Sequence, residues 1–168
     1  MSRNRLTAKT VFRRLLPFLI AAAGVTALAQ VARFFAVKYL APVGTAWTVP
    51  GFAELSYCEN TGASFGMFSD STAALTVVTA LLLLFLLCLV LFGFFANVRQ
   101  LVVVGMIFGG GFSNMLERIC SGHVVDYFKA LFIDFAVFNV ADSFITVCSI
   151  LLVVMMLFID KNIFDKKK

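Results

Sequence analysis

Apolar residues dominate long stretches of this chain, and the charges collect between and beyond them. Crossing the hydrocarbon core of a bilayer takes about 20 apolar residues in a helix. Four segments meet or approach that length: residues 15–37, 73–95, 101–117 and 138–159. The second is the cleanest, LTVVTALLLLFLLCLVLFGFF without a charge. The third reads LVVVGMIFGGGFSNML before it meets Glu117 and Arg118. Between the first two segments, a TAWTV run and an ELSYCEN run flank Pro50-Gly51. Runs rich in Thr, Val, Trp and Tyr around a turn pair predict a short β-hairpin or small sheet lying on the membrane. The predicted fold class is therefore an integral membrane protein, mainly α, with four transmembrane helices and a small sheet in the first outer loop. Residues 1–168 form one membrane-embedded domain in this reading.

Composition narrows the class further. Of the 168 residues, 61% are hydrophobic and 14% charged, against roughly 45–50% and about 25% in soluble domains. A globule of this size has no room to hide that surplus and still coat itself in polar groups. A soluble enzyme, a disordered chain and a nucleic-acid-binding domain are excluded as readings. The net charge of +5 reports orientation. Ten of the fourteen Lys and Arg residues lie in the N-terminal tail, at Arg99 in the link between segments two and three, and in the C-terminal tail. Four crossings bring all three regions to one side, which the positive-inside rule makes cytoplasmic. The loops 39–72 and 119–137 then face outward. The basic start and the Ala27-Leu28-Ala29 triplet also resemble a cleavable secretory signal, but apolar residues continue through Val37, which favours a retained crossing.

Ionisable groups at membrane depth are costly and usually face the protein interior or a wet cavity. Here they fall at the outward ends of segments three and four. Asn114 and Arg118 are four apart on one face of segment three, beside Gly109-Gly110-Gly111, which permit close helix approach. Asn139, Asp142, Ser143 and Thr146 recur at spacings of three and four and make a polar stripe on segment four. An end cap accounts for one of these residues, not for two turns of them. Between the segments, Asp126 sits in an apolar run. Paired with Asp142 it would form a dyad in which like charge keeps one carboxyl protonated, so that one group activates water while the other donates a proton.

Other chemistries have less behind them. The single histidine, His123, would have to choose among Ser64, Ser113 and Ser143 for a serine triad. Cys120 with His123 is an alternative nucleophile pair. No Cys-x-x-Cys is present among Cys58, Cys88, Cys120 and Cys148, so the sequence predicts no metal site. Cys58 and Cys120 face outward together and are candidates for a disulfide. An ion path along Asn139, Asp142 and Thr146 is a third class of reading, but the polar residues do not continue toward the cytoplasmic side.

Four short motifs in order bring a family into view. Asn60-Thr61-Gly62-Ala63-Ser64-Phe65 resembles N-x-G-A-x-F, and Gly110-Gly111 through Asn114 and Arg118 resembles G-G-x-x-N-x-x-D-R. Val124-Val125-Asp126-Tyr127 resembles V-V-D-[FY], and Phe138-Asn139-Val140-Ala141-Asp142 resembles F-N-x-A-D. Together they resemble the lipoprotein signal peptidases, the type II signal peptidases of bacteria. The resemblance implies an aspartic endopeptidase in the bacterial inner membrane, both termini cytoplasmic, with Asp126 and Asp142 catalytic and no cofactor or metal. It implies substrate-binding roles for Asn60, Gly62, Asn114, Arg118, Asn139 and Ala141. Its substrates would be diacylglyceryl-modified prolipoproteins, cut just before the lipidated cysteine, with membrane lipid as surroundings and globomycin as an inhibitor. Two positions depart from the pattern. The family's D-Q-x-x-K in the first crossing reads Ala29-Gln30-Val31-Ala32-Arg33, and Glu117 stands where the family has Asp. Gln30, Arg33 and Glu117 are the expected supporting residues, with Glu117 a candidate partner for Arg33. The lost carboxylate at Ala29 raises the alternative of a homologue that binds lipoprotein without cutting it.

Overall fold

The structure is a computed structural model, and it describes residues 8–62, 72–95 and 97–159. Four α-helices run through it: α1 (Ala8–Phe35), α2 (Thr72–Leu91), α3 (Val98–Ser121) and α4 (Val140–Val154). α1 continues as a π-helical turn, Ala36–Leu40, and α4 as another, Met155–Ile159. Three strands form one antiparallel sheet in the order β1 (Thr45–Val49), β2 (Ala53–Asn60), β3 (Val124–Ala130). The expected hairpin is β1–β2, turning at Gly51 with φ of 72°. β3 was expected as loop. It pairs along β2 with Cys58 opposite Asp126 and Asn60 opposite Val124. The expected Ala63–Phe65 part of the first motif and most of the basic tails lie outside the described residues.

Among the described residues, three helical spans are long and apolar enough to cross a membrane: Leu15–Leu40, Thr72–Leu91 and Val140–Ile159. Their outer faces carry lipid-compatible side chains such as Leu81, Leu82 and Phe85 on α2 and Val147, Ile150 and Val153 on α4, all exposed. α3, a helix of 24 residues, is less apolar than these three. Its position explains why. α3 packs against α1, α2 and α4 and buries Gln100, Ser113, Asn114 and Glu117 along with its apolar residues. A helix enclosed by other helices can carry polar groups that a lipid-facing helix cannot.

The α1 face that meets α3 is a stripe of Phe18, Ala22, Val25, Ala29 and Arg33, all buried, at steps of three and four. The same stripe continues through Ala36 and Leu40, which pack against Val125 and Tyr127 of β3. Lipid offers no hydrophobic drive between helices, so association rests on close packing and polar contacts. Glycine supplies the closeness. A Cβ on Gly105 would collide with the Phe18 carbonyl, and one on Gly109 with the Ala22 carbonyl. A Cβ on Gly110 would lie 2.8 Å from the Ala141 carbonyl oxygen of α4, and one on Gly111 would lie 3.0 Å from Leu83 of α2. Successive residues turn by about 100° around a helix, so Gly109, Gly110 and Gly111 let three different helices approach at one level. The end of the bundle away from the sheet closes on an apolar core of Phe18, Val90, Phe95, Leu101 and Val104. At the other end α3 stops at Gly122, whose left-handed φ of 78° turns the chain into β3.

Candidate active site

The sheet end of the bundle brings Asp126 and Asp142 to one cavity of about 510 Å³, also lined by Asn60, Gly62, Asn114 and Arg118. β3 delivers Asp126, and the first turn of α4 delivers Asp142. Asn139 lies between them. As N-cap of α4, its side-chain oxygen accepts from the Asp142 backbone N–H at 3.1 Å, while the Asp142 carboxylate accepts from the Asn139 N–H at 3.1 Å. This is a reciprocal capping box with Asp in the third position. The cap leaves the Asn139 amide nitrogen free to donate, and it donates to Asp126 Oδ1 at 2.7 Å. It also reaches Asn114 Oδ1 at 3.2 Å. Asn114 in turn donates to Asp142 Oδ1 at 2.7 Å.

The second oxygen of Asp126 accepts from Asn60 Nδ2 at 2.9 Å, and the Gly62 N–H holds Asn60 from the other side at 3.0 Å. The antiparallel register accounts for the reach, since Asn60 is diagonal to Asp126 on the same sheet face. Asp126 is 2% exposed. Burial pushes its carboxyl up to about 6, the nearby Asp142 charge adds to the rise, and the Asn60 and Asn139 hydrogen bonds oppose it. Cys58, directly across the strand pair, has its thiol raised by burial and then by the Asp126 charge.

A buried polar seam backs this arrangement. Arg33 Nε lies 2.7 Å from Glu117 Oε2, so the two residues suggested as partners by the sequence form an ion pair. Arg33 Nη2 donates to Asn114 Oδ1 at 3.0 Å, and Glu117 Oε2 accepts from the Val125 N–H at 2.9 Å. One fork therefore grips the partner of Asp142, and its counter-ion grips the strand residue next to Asp126. Gln30 donates to Ser113 Oγ at 3.2 Å, and Thr26 donates to the Gly109 carbonyl at 3.1 Å. Ala29 is buried in the same stripe.

The remaining candidates separate. Ala141 is fully buried against Gly110 and does not line the cavity. Arg118 lines the cavity, with a buried Nε that has no hydrogen-bond partner among the described residues. His123 sits in the turn before β3, its Nε2 3.9 Å from a Glu59 oxygen, and Ser64 lies outside the described residues. Cys58 and Cys120 are free thiols. The sequence reading missed the role of Tyr127, whose hydroxyl accepts from the Val140 N–H at 3.3 Å and so satisfies another amide of the α4 start. Its place beside the bridge between Phe128 and Phe138 has no signature in the sequence alone.

Residues 21–158 match the family described as signal peptidase (SPase) II. The chain belongs to the signal peptidase II family. It is 36% identical over 143 residues to a lipoprotein signal peptidase of Caldanaerobacter subterraneus subsp. tengcongensis, covering 83% of this chain and 95% of that one. A lipoprotein signal peptidase of Streptococcus pyogenes serotype M5 is 33% identical over 128 residues, covering 76% and 84%. A bacterial membrane enzyme structure determined in meso at 2.3 Å superposes with a TM-score of 0.74 at 25% identity, covering 90% of this chain and 92% of the other. Membership makes the chain a membrane peptidase of the aspartic type.

Proposed function

We propose that this peptidase removes signal peptides from diacylglyceryl-modified prolipoproteins, cutting just before the lipidated cysteine, with Asp126 and Asp142 as catalytic residues. The observation that carries the reading is the pair of asparagine bridges. Asn139 reaches Asp126, Asn114 reaches Asp142, and the two asparagines touch each other. Two carboxylates held in one buried network share a proton. The ionised one takes a proton from water as the water oxygen attacks the scissile carbonyl carbon, and the protonated one donates to the carbonyl oxygen. Collapse of the tetrahedral species breaks the C–N bond, and the departing nitrogen takes up a proton from the dyad. Which Asp plays which part is a property of the coupled pair.

The cavity wall of Arg118, Asn60 and Gly62 holds the peptide and Asn114 and Asn139 orient the dyad, with Gln30, Arg33 and Glu117 supporting them. Ala141 contributes by letting α4 close on Gly110. α3 is the fourth crossing, so both termini lie in the cytoplasm and the sheet and cavity face outward from the inner membrane. Lipid surrounds the helices, and globomycin occupies the same cavity. Arg33 is paired with Glu117, so the carboxylate missing at Ala29 leaves no orphaned cation, which supports an active enzyme over a silent one.

The test is cleavage of a diacylglyceryl-modified precursor by the purified protein in detergent. Asp126→Asn and Asp142→Asn should each lower turnover at least 10³-fold, on the order of a triad member's removal, while both variants still melt cooperatively. Retained turnover in either variant sinks the dyad. A folded wild type that binds the precursor without cutting it makes the chain a binding homologue.

A further inference from the structure

The cavity carries two hydroxyls that the dyad does not use. Thr79 of α2 and Thr146 of α4 both line it. Other hydroxyls on these helices are satisfied by backbone carbonyls. Thr76 donates to Thr72 at 2.7 Å, Ser143 to Asn139 at 3.1 Å, and Thr26 to Gly109 at 3.1 Å. Among the described residues Thr79 and Thr146 have no such partner. Both lie deeper than the carboxylates. Thr146 is four residues further into α4 than Asp142, about 6 Å along the axis, and Thr79 is seven residues into α2, about 10 Å from Thr72. At that depth a polar group without a partner is costly, and one that faces a cavity marks a ligand.

A hydroxyl donates as well as accepts, and the apolar wall around these two favours a ligand that brings acceptors on a hydrocarbon body. Beside the two hydroxyls stand Ile145 and Val147 of α4 and the bare backbone of Gly111, a wall suited to hydrocarbon. Glyceryl ester carbonyls fit that description: two acceptors, no donor, and an acyl chain running on from each. In a thioether-linked diacylglyceryl cysteine they lie only a few bonds from the sulfur, so a peptide bond at the dyad brings them one to two helical turns below it. We infer that Thr79 and Thr146 donate hydrogen bonds to the ester carbonyls of the substrate's diacylglyceryl group and set the preference for that group. The inference rests on the lipoprotein-peptidase reading above.

One hydrogen bond discriminates about three- to tenfold in a buried site. The experiment compares kcat/KM on two precursors, identical except that one carries ester-linked and the other ether-linked chains on the glyceryl group. Wild type should favour the ester by about tenfold or more. Thr79→Val and Thr146→Val should each erode that ratio, and the double variant should bring it near parity. Thr79→Ser and Thr146→Ser, which keep the hydroxyl, should keep the ratio. An ester-to-ether ratio equal in wild type and double variant, whether or not both rates fall together, overturns the inference and leaves the peptidase reading intact. A wild type that cuts neither precursor overturns that reading and this inference with it.

Discussion

The seam between α1 and α3 and the gap between α2 and α4 are built from similar residues and behave in opposite ways. On the seam, two glycines bring backbones together, and Thr26, Gln30 and Arg33 each reach a partner on α3. Across the gap, α2 buries only Leu83 and Val90, and the hydroxyls of Thr79 and Thr146 face open space. A membrane fold has no hydrophobic drive to pull its helices together, so polar groups spent on each other make a frame, and polar groups left facing a cavity make a place for substrate. α3 presents one face to each. That division leaves the α1–α3 frame closely packed and the cavity side open.

The comparison breaks most sharply at Gly109. Gly109→Val drives side-chain carbons into the α1 backbone, an overpacking cost of about 3 kcal/mol or more, and the expected result is little folded protein by size-exclusion and thermal melt. A bulky substitution on the open side, Leu81→Trp, should leave the melt nearly unchanged, because Leu81 faces outward. Arg33 is the next largest effect. Arg33→Ala strands Glu117 and should cost about 3–5 kcal/mol. Arg33→Met with Glu117→Leu should recover most of that stability, since an apolar pair fills a buried ion-pair site well. Turnover should stay low in the double variant, because Asn114 and Val125 lose their partners. Recovery of turnover along with the melt would make the ion pair a stability device only.

The mildest change sharpens the cavity side. Burial and the Asp142 charge push the Asp126 carboxyl up to about 6, so the proton bound there is the one the dyad shares, and kcat/KM should fall as the pH rises through that value and this proton is lost. The Asn60 hydrogen bond favours the ionised carboxylate. Asn60→Ala therefore raises the Asp126 pKa further and moves the alkaline limb of the pH–rate profile to higher pH. A limb that stays in place removes Asn60 from the dyad.

Helix positions were legible because a long apolar run in so short a chain has nowhere to go but into lipid. The expected 73–95 and 138–159 meet Thr72–Leu91 and Val140–Ile159 within a few residues. The hairpin was legible from Pro50-Gly51 and its flanking strand formers. β3 was not. Val124, Val125, Asp126 and Tyr127 are buried in succession, so the strand lacks the polar–apolar alternation that marks one. Its partner in the sheet is more than 60 residues earlier in sequence. The carboxylates were legible as misplaced charges, yet spacing alone is silent on their meeting, because an asparagine side chain and not a helix face connects them. α3 shows the limit from the other side: the polar residues that flagged the site are the same ones that make it less apolar than its neighbours.

Asn139 ties two events that most enzymes keep apart. Its side-chain oxygen starts α4, and its amide nitrogen holds Asp126. Fraying of the first turn of α4 therefore also releases Asp126, and docking of α4, which follows α1, α2 and α3 in the chain, is the step that completes the network. With Asp126 and Asp142 catalytic as proposed, competence and completed assembly are one event, so a chain caught part-way through insertion carries both aspartates and has no means of using them.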